Sequence, residues 1–274
     1  MLFITIGNKH LPISKKNLFF ISFGILLLGI LSYFSIFLPD QFSQEILTQC
    51  IHQNFLPSSY ETIGHEKIPA ITAQPLRYLG KGSQAIAFIS ADNQYVIKFF
   101  LNERFHTKLR IRHPFKKAYP PRIRYDVLNR YAKAFQEIRE ETGLIAVHLS
   151  ATTSHLPSCY LQDPQGYYHL IDLNRFSFVV QKRCDCLNTT FSKMSKKEKK
   201  KTLAALQTLM QTLAKKGFHN LRNSFKEENF AMLGDQALMI DVGNVIFIET
   251  QKKHPEEELQ RIKEQLETWV KEKS

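Results

Sequence analysis

Four groups of residues in this 274-residue chain are suited to phosphate and magnesium chemistry. Asp241-Val242-Gly243 closes a hairpin-like stretch in which a Gly234-Asp235-Gln236 turn leads into Ala237-Leu238-Met239-Ile240. Lys226-Glu227-Glu228-Asn229 stands just before that stretch. Asn229 and Asp241 carry the kind of oxygens that hold Mg²⁺ between phosphates. Lys98, at the end of Tyr95-Val96-Ile97-Lys98, would neutralise nucleotide phosphates; if buried between Ile97 and Phe99 it needs a partner. Gly80 and Gly82, in Gly80-Lys81-Gly82-Ser83-Gln84-Ala85, let the backbone approach a phosphate closely. Each position also has a plainer reading. Gly80 and Gly82 suit a simple turn, Lys98 suits an exposed edge strand, and Asp241 suits a turn in which it caps backbone amides.

The elements that must position these residues follow from local patterns. Leu76 opens a strand into the Gly80 loop, and Ala85 to Ser90 and Gln94 to Phe99 read as two strands around Ala91-Asp92-Asn93. Asp126 suits the N-cap of a helix running to about Thr142, with Leu128, Tyr131, Phe135 and Ile138 at helical spacing and Gly143 at the C-cap. Leu144 to Leu149 and Ser177 to Gln181 read as strands, and Cys159 to Leu161 with Tyr167 to Leu173 as a hairpin around Asp163-Pro164-Gln165-Gly166. Ser195 caps a further helix with Leu203, Leu206, Met210 and Leu213 as its core stripe. A last helix starts at Pro255, with Glu256, Glu257 and Glu258 in its first turn and a Leu259, Ile262, Leu266, Trp269 seam.

In the order and spacing of these parts the chain resembles the protein-kinase-like superfamily. That resemblance implies an α+β, kinase-like bilobal fold: a five-stranded N-lobe with one helix and a minimal helical C-lobe. It implies ATP and Mg²⁺ as ligands, with Gly80, Gly82 and Lys98 on the nucleotide and Asn229 and Asp241 on the metal. The family pairs the strand lysine with a glutamate of the following helix; Glu137 is the first choice, and Glu140 and Glu141 compete. Lys226 falls where the family places a lysine on the transferred phosphate. Ala134 to Leu149, with Asn229 to Leu233 and Ile240 to Gly243, is also similar to a group of kinase-like membrane proteins from chlamydia-like bacteria, over roughly 75–250.

Several positions depart from the family pattern. Ala85 and Ala87 replace a glycine and a valine of the loop. Ser224, preceded by Arg222-Asn223, stands where the family has its aspartate base, and a neutral hydroxyl cannot accept a proton as a carboxylate does. Residues 244–274 alone follow Asp241-Val242-Gly243, which is short for an activation segment and a protein-substrate platform. The expected function is therefore a pseudokinase that binds Mg-ATP without efficient phosphoryl transfer. An active atypical phosphotransferase and a non-enzymatic membrane scaffold are the alternatives.

Composition adds a membrane and a charge signal. Asn17 to Leu38 holds no charged residue over 22 positions, enough for a transmembrane helix; a signal peptide or buried helix are the competing readings. The resulting organisation is a basic N-terminus (1–16), a span (17–38), a connector with a short helix from Gln41 to Asn54 (39–73) and a kinase-like domain (74–274). Lys9, Lys15 and Lys16 precede the span and no Lys or Arg follows before Lys67, which puts the N-terminus in the bacterial cytoplasm and the domain outside. The net charge of +12 is concentrated between Arg104 and Arg124, in an Arg-, Lys- and Pro-rich insert, and between Lys193 and Lys201. Such clusters suit membrane lipid or a protein partner, or are simply solvated; no zinc finger, basic zipper or RNA-binding motif accompanies them, so nucleic acid is not the expected partner. Cys50, Cys159, Cys184 and Cys186 define neither a metal site nor a disulfide framework, although one bridge would fit an oxidising compartment.

Overall fold

The computed structural model describes residues 2–6, 9–13, 64–82, 84–101, 122–149, 156–220, 225–248 and 255–273. The chain divides into two units, Met1–Gln41 and Phe42–Ser274. In the first, Leu2–Ile6 (β1) pairs antiparallel with Lys9–Ile13 (β2), a strand pair that the sequence reading did not anticipate. Among the described residues no helix is long and apolar enough to cross a membrane. The Asn17 to Leu38 span, the Gln41 to Asn54 helix, Cys50 and most of the basic insert lie outside the described residues.

The second unit is an α+β structure built on one sheet, an arrangement compatible with a kinase-like fold. A short helix, Ile68–Thr72 (α1), precedes three antiparallel strands: Leu76–Lys81 (β3), Ala85–Ile89 (β4) and Tyr95–Phe100 (β5). Helix Arg122–Thr142 (α2) and strand Leu144–His148 (β6) follow. Next come the hairpin Ser158–Gln162 (β7) and Tyr168–Asp172 (β8), and the strand Phe178–Lys182 (β9). The sheet order is β6-β9-β5-β4-β3-β7-β8, seven strands rather than the expected five. The two extra strands join where β7 runs parallel to β3 through Leu76↔Leu161 and Arg77↔Gln162. Buried Cys159, Leu161 and Ile171 thereby prolong the apolar face of Leu76, Ile86 and Phe88.

The sheet separates two apolar clusters, and the period of two along each strand sorts its residues between them. Phe99, Phe178, Val180 and Ala146 belong to the cluster with α1 and the β7–β8 hairpin. Their neighbours Phe100, Val179 and Val147 face the helices. Lys98, two residues before Phe100 and opposite Val179, therefore points to the helical side.

On that side α2 presents Leu128, Tyr131, Phe135 and Ile138, all buried as its spacing requires. It begins four residues ahead of Asp126 and breaks at Ile138 (φ −137°, ψ 32°). Gly143 closes it at φ +66°, a conformation that favours glycine. Asp185–Cys186 (β10) and Leu187–Thr190 (α3) lead to Lys196–Lys215 (α4), which starts with a full capping box: Ser195 and Glu198 each bond the other's backbone amide. Phe218–Asn220 (β11), the hairpin Phe230–Leu233 (β12) and Gln236–Met239 (β13), Val245–Phe247 (β14) and the helix Glu256–Lys273 (α5) complete the unit.

Candidate functional site

The β12–β13 hairpin sets the site. Its pairing runs from Leu233↔Gln236 at the Gly234 turn to Phe230↔Met239 at the open end, so Asn229 and Asp241 emerge side by side. Gly234 adopts φ +59°, which fixes the tight turn. The backbone of Ile240 joins the parts: its N–H donates to the Asn229 carbonyl (2.8 Å) and its carbonyl accepts from Lys98 Nζ (2.5 Å). Lys98, Asn229 and Asp241 thus meet around one residue, Ile240, although Lys98 lies more than a hundred residues away in sequence.

Asp241 does what a turn aspartate does, accepting the Gly243 N–H at its Oδ1 (2.8 Å). It also faces the Tyr131 hydroxyl of α2; burial, then the Asp241 charge, push that phenol well above its ordinary value. Lys98 is half-buried and is drawn below the ordinary lysine value by burial, an effect opposed by Asp241 and then by Cys186 and Cys184. Arg130 Nη1 donates to the Gly243 carbonyl, so α2 grips both ends of Asp241-Val242-Gly243.

The three glutamates considered as partners of Lys98 make other bonds in the structure. Glu137 accepts from Lys133 (3.0 Å), Glu140 from Arg139 (3.5 Å) and Glu141 from Lys216 (2.6 Å), while Lys98 turns to the Ile240 carbonyl. Lys216, just past the end of α4, also bonds the Glu137 carbonyl (3.2 Å), which ties the last turn of α2 to α4.

Asn229 is buried and ends a 3-10 turn, Glu227–Asn229, whose first bond runs from its N–H to the Lys226 carbonyl (3.0 Å). Trp269 of α5 steadies that turn by donating its indole N–H to Glu227 (3.0 Å), and its ring packs on Phe191 and Phe225. Asn229 and Asp241 line a common cavity of about 30 Å³, together with His219 and Glu258. That volume accepts one or two waters. Among the described residues no cluster of three or more His, Cys, Asp or Glu side chains could hold a metal ion. Asn229 and Asp241 are two oxygen donors that fit Mg²⁺ only if phosphate oxygens and water complete its octahedron.

The glycine-rich loop spans β3 and β4. A Cβ at Gly80 would meet nothing within 4 Å, and one at Gly82 only the Ala85 carbonyl at 3.7 Å. The internal packing does not demand glycine at either position, which leaves open space over the backbone. Gln84 reaches down instead: a Cβ on Gly243 would stand 2.1 Å from Gln84 Oε1. Ser83 and Ser224 lie outside the described residues. Sequence reasoning missed Arg130, Tyr131 and Gln84 as site residues; Tyr131 carried only a core signal, because it sits on the apolar stripe. Cys159, Cys184 and Cys186 are free thiols, and burial pushes Cys159 up to about 12 and Cys184 up to about 11, away from reactivity.

No protein-family model and no curated protein matches the chain. Among solved structures, the crystal structure of WbdD is similar at TM-score 0.39 and 14% identity, over 68% of this chain and 35% of that one. A medium-resolution structure of the bifunctional kinase-methyltransferase WbdD is similar at TM-score 0.34 and 15% identity, over 61% and 31%. The chain thus spans about a third of the length of those proteins. Similarity at that level carries no argument about function, and nothing in these comparisons carries the narrower likeness to chlamydia-like proteins.

Proposed function

We propose that this protein is a membrane-anchored pseudokinase: its second unit holds Mg-ATP between the glycine-rich loop and Asp241 and transfers phosphate poorly or not at all. The observation that carries the reading is the convergence of Lys98, Asn229 and Asp241 around the backbone of Ile240. Open space over Gly80 and Gly82 supports it. In this reading Lys98, Gly80 and Gly82 bind the phosphates, and Asn229 and Asp241 take the metal. Weak transfer follows from Ser224 at the position of the base and from a Lys98 committed to a carbonyl rather than a glutamate. General-base help is typically worth about 10²–10⁴-fold.

The test is a melting curve of the full chain with ATP, with and without Mg²⁺. At a hundredfold excess over Kd, stabilisation is about 2.7 kcal/mol. Asp241→Ala should remove the Mg²⁺-dependent part. Absence of any shift in the unchanged protein would sink the proposal and leave a scaffold that acts through its lysine clusters. Rapid transfer from radiolabelled ATP, lost on changing Lys98, would instead establish the active phosphotransferase. Anchoring rests on the Asn17 to Leu38 run and is tested separately, by a reporter fused after Ser274: activity only on the cytoplasmic side would refute the outward orientation.

A further inference from the structure

We propose that the cleft between α2 and the β11–β14 pair is a second ligand site, which takes a small apolar molecule bearing one phosphate or carboxylate group. The cleft measures about 380 Å³, within the usual range of roughly 300–1,000 Å³ for small-molecule sites. Its floor is apolar: Val242, Ile246 and the Phe218 and Phe247 rings, whose centroids are 5.2 Å apart. Its α2 wall carries two cations, Arg130 and Lys133, and no acidic side chain is among its described lining residues.

Both cations have capacity left for an anion. Arg130 has five N–H donors and spends one on the Gly243 carbonyl. Lys133 sits 4.3 Å from the centre of the Phe247 ring and bonds Glu137 across a pair in which both side chains are more than a third exposed. Ion pairs that open to solvent hold weakly, so the ammonium can turn to an incoming anion at small cost. An occupant would lay its apolar body on the Phe218–Phe247 floor and its acid group between Arg130 and Lys133. Inorganic phosphate would forgo the floor, and a neutral apolar molecule would forgo the cations. Because Arg130 also holds Gly243, two residues beyond Asp241, an anion on its guanidinium would bear on the metal loop from outside the nucleotide site.

The site does not depend on nucleotide binding, and its test uses none. The full chain is titrated calorimetrically with 1-naphthyl phosphate, with inorganic phosphate and with 1-naphthol. Saturable binding of the naphthyl phosphate is expected, at least roughly tenfold tighter than either half. Lys133→Met should weaken it by roughly tenfold. Ile246→Trp, which fills the cleft and leaves both cations in place, should abolish it at an unchanged melting temperature. Lys98→Met should leave it intact; loss there would put the probe in the nucleotide site and overturn the proposal. Absence of saturable binding, a smaller preference over either half, or equal affinity in the Lys133 and Ile246 variants would overturn it as well.

Discussion

Two glycines illustrate how differently one added methyl can act. At Gly64 the backbone has φ +77° and a Cβ would stand 2.3 Å from the Ile145 carbonyl, which belongs to the paired strand β6 and cannot retreat. At Gly243 the nearest obstacle is the far end of the Gln84 side chain, at 2.1 Å, which can swing away; Asp241 Oδ1 follows at 3.1 Å. Gly64→Ala should therefore cost about 2–3 kcal/mol in urea unfolding, while Gly243→Ala should cost about 1 kcal/mol or less. Gln84→Ala should rescue the second and leave the first unchanged. His148 supplies a pH dependence. It is fully buried, and burial lowers its pKa to about 4, against a slight opposing effect from the Asn174 backbone. The unfolded chain takes up this proton first, at the ordinary histidine value near 6.5. The contribution of His148 is thus present above pH 6.5 and lost as the pH falls toward about 4, on the order of 3 kcal/mol. Urea midpoints at about pH 7.5 and about pH 4.5 should differ more in the unchanged protein than in His148→Gln.

At the scale of elements, the legible parts were those coded locally. Helix α4 could be read because Ser195 and Glu198 form its capping box within four residues. Ser195→Ala should remove that cap at a cost of about 1 kcal/mol, with Ser195→Asp retaining most of the stability in the same unfolding assay. The β12–β13 hairpin was equally local, and with it the closeness of Asn229 to Asp241. Lys98 could be placed on its strand by the apolar, β-branched and aromatic content of its neighbours. Its partner could not be read, because the Ile240 carbonyl it bonds lies 142 residues away in sequence. The break at Ile138 leaves no mark in a stripe that keeps helical spacing through it. Strand number failed for a similar reason: each strand of the β7–β8 hairpin was visible, but its junction with β3 is a long-range parallel pairing with no local signature.

Across the whole second unit, the site joins elements that span nearly its full length: the β3–β4 loop, β5, α2, the β12–β13 hairpin and the final helix α5. Besides Glu258 at the shared cavity, the helix α5 reaches the Glu227–Asn229 turn through Trp269, bonded to Glu227 two positions before Asn229. Trp269 is also the only tryptophan of the chain. Its indole is 4% exposed, so it should emit at the short wavelengths of a dry environment, and all intrinsic tryptophan fluorescence of the protein comes from this one place. Any ligand that draws Asn229 toward a metal must strain the Glu227–Trp269 bond. The optical signal of the unlabelled protein therefore becomes a reporter of the site: Mg-ATP should change its emission, ATP without metal should change it less, and Asp241→Ala should leave it silent.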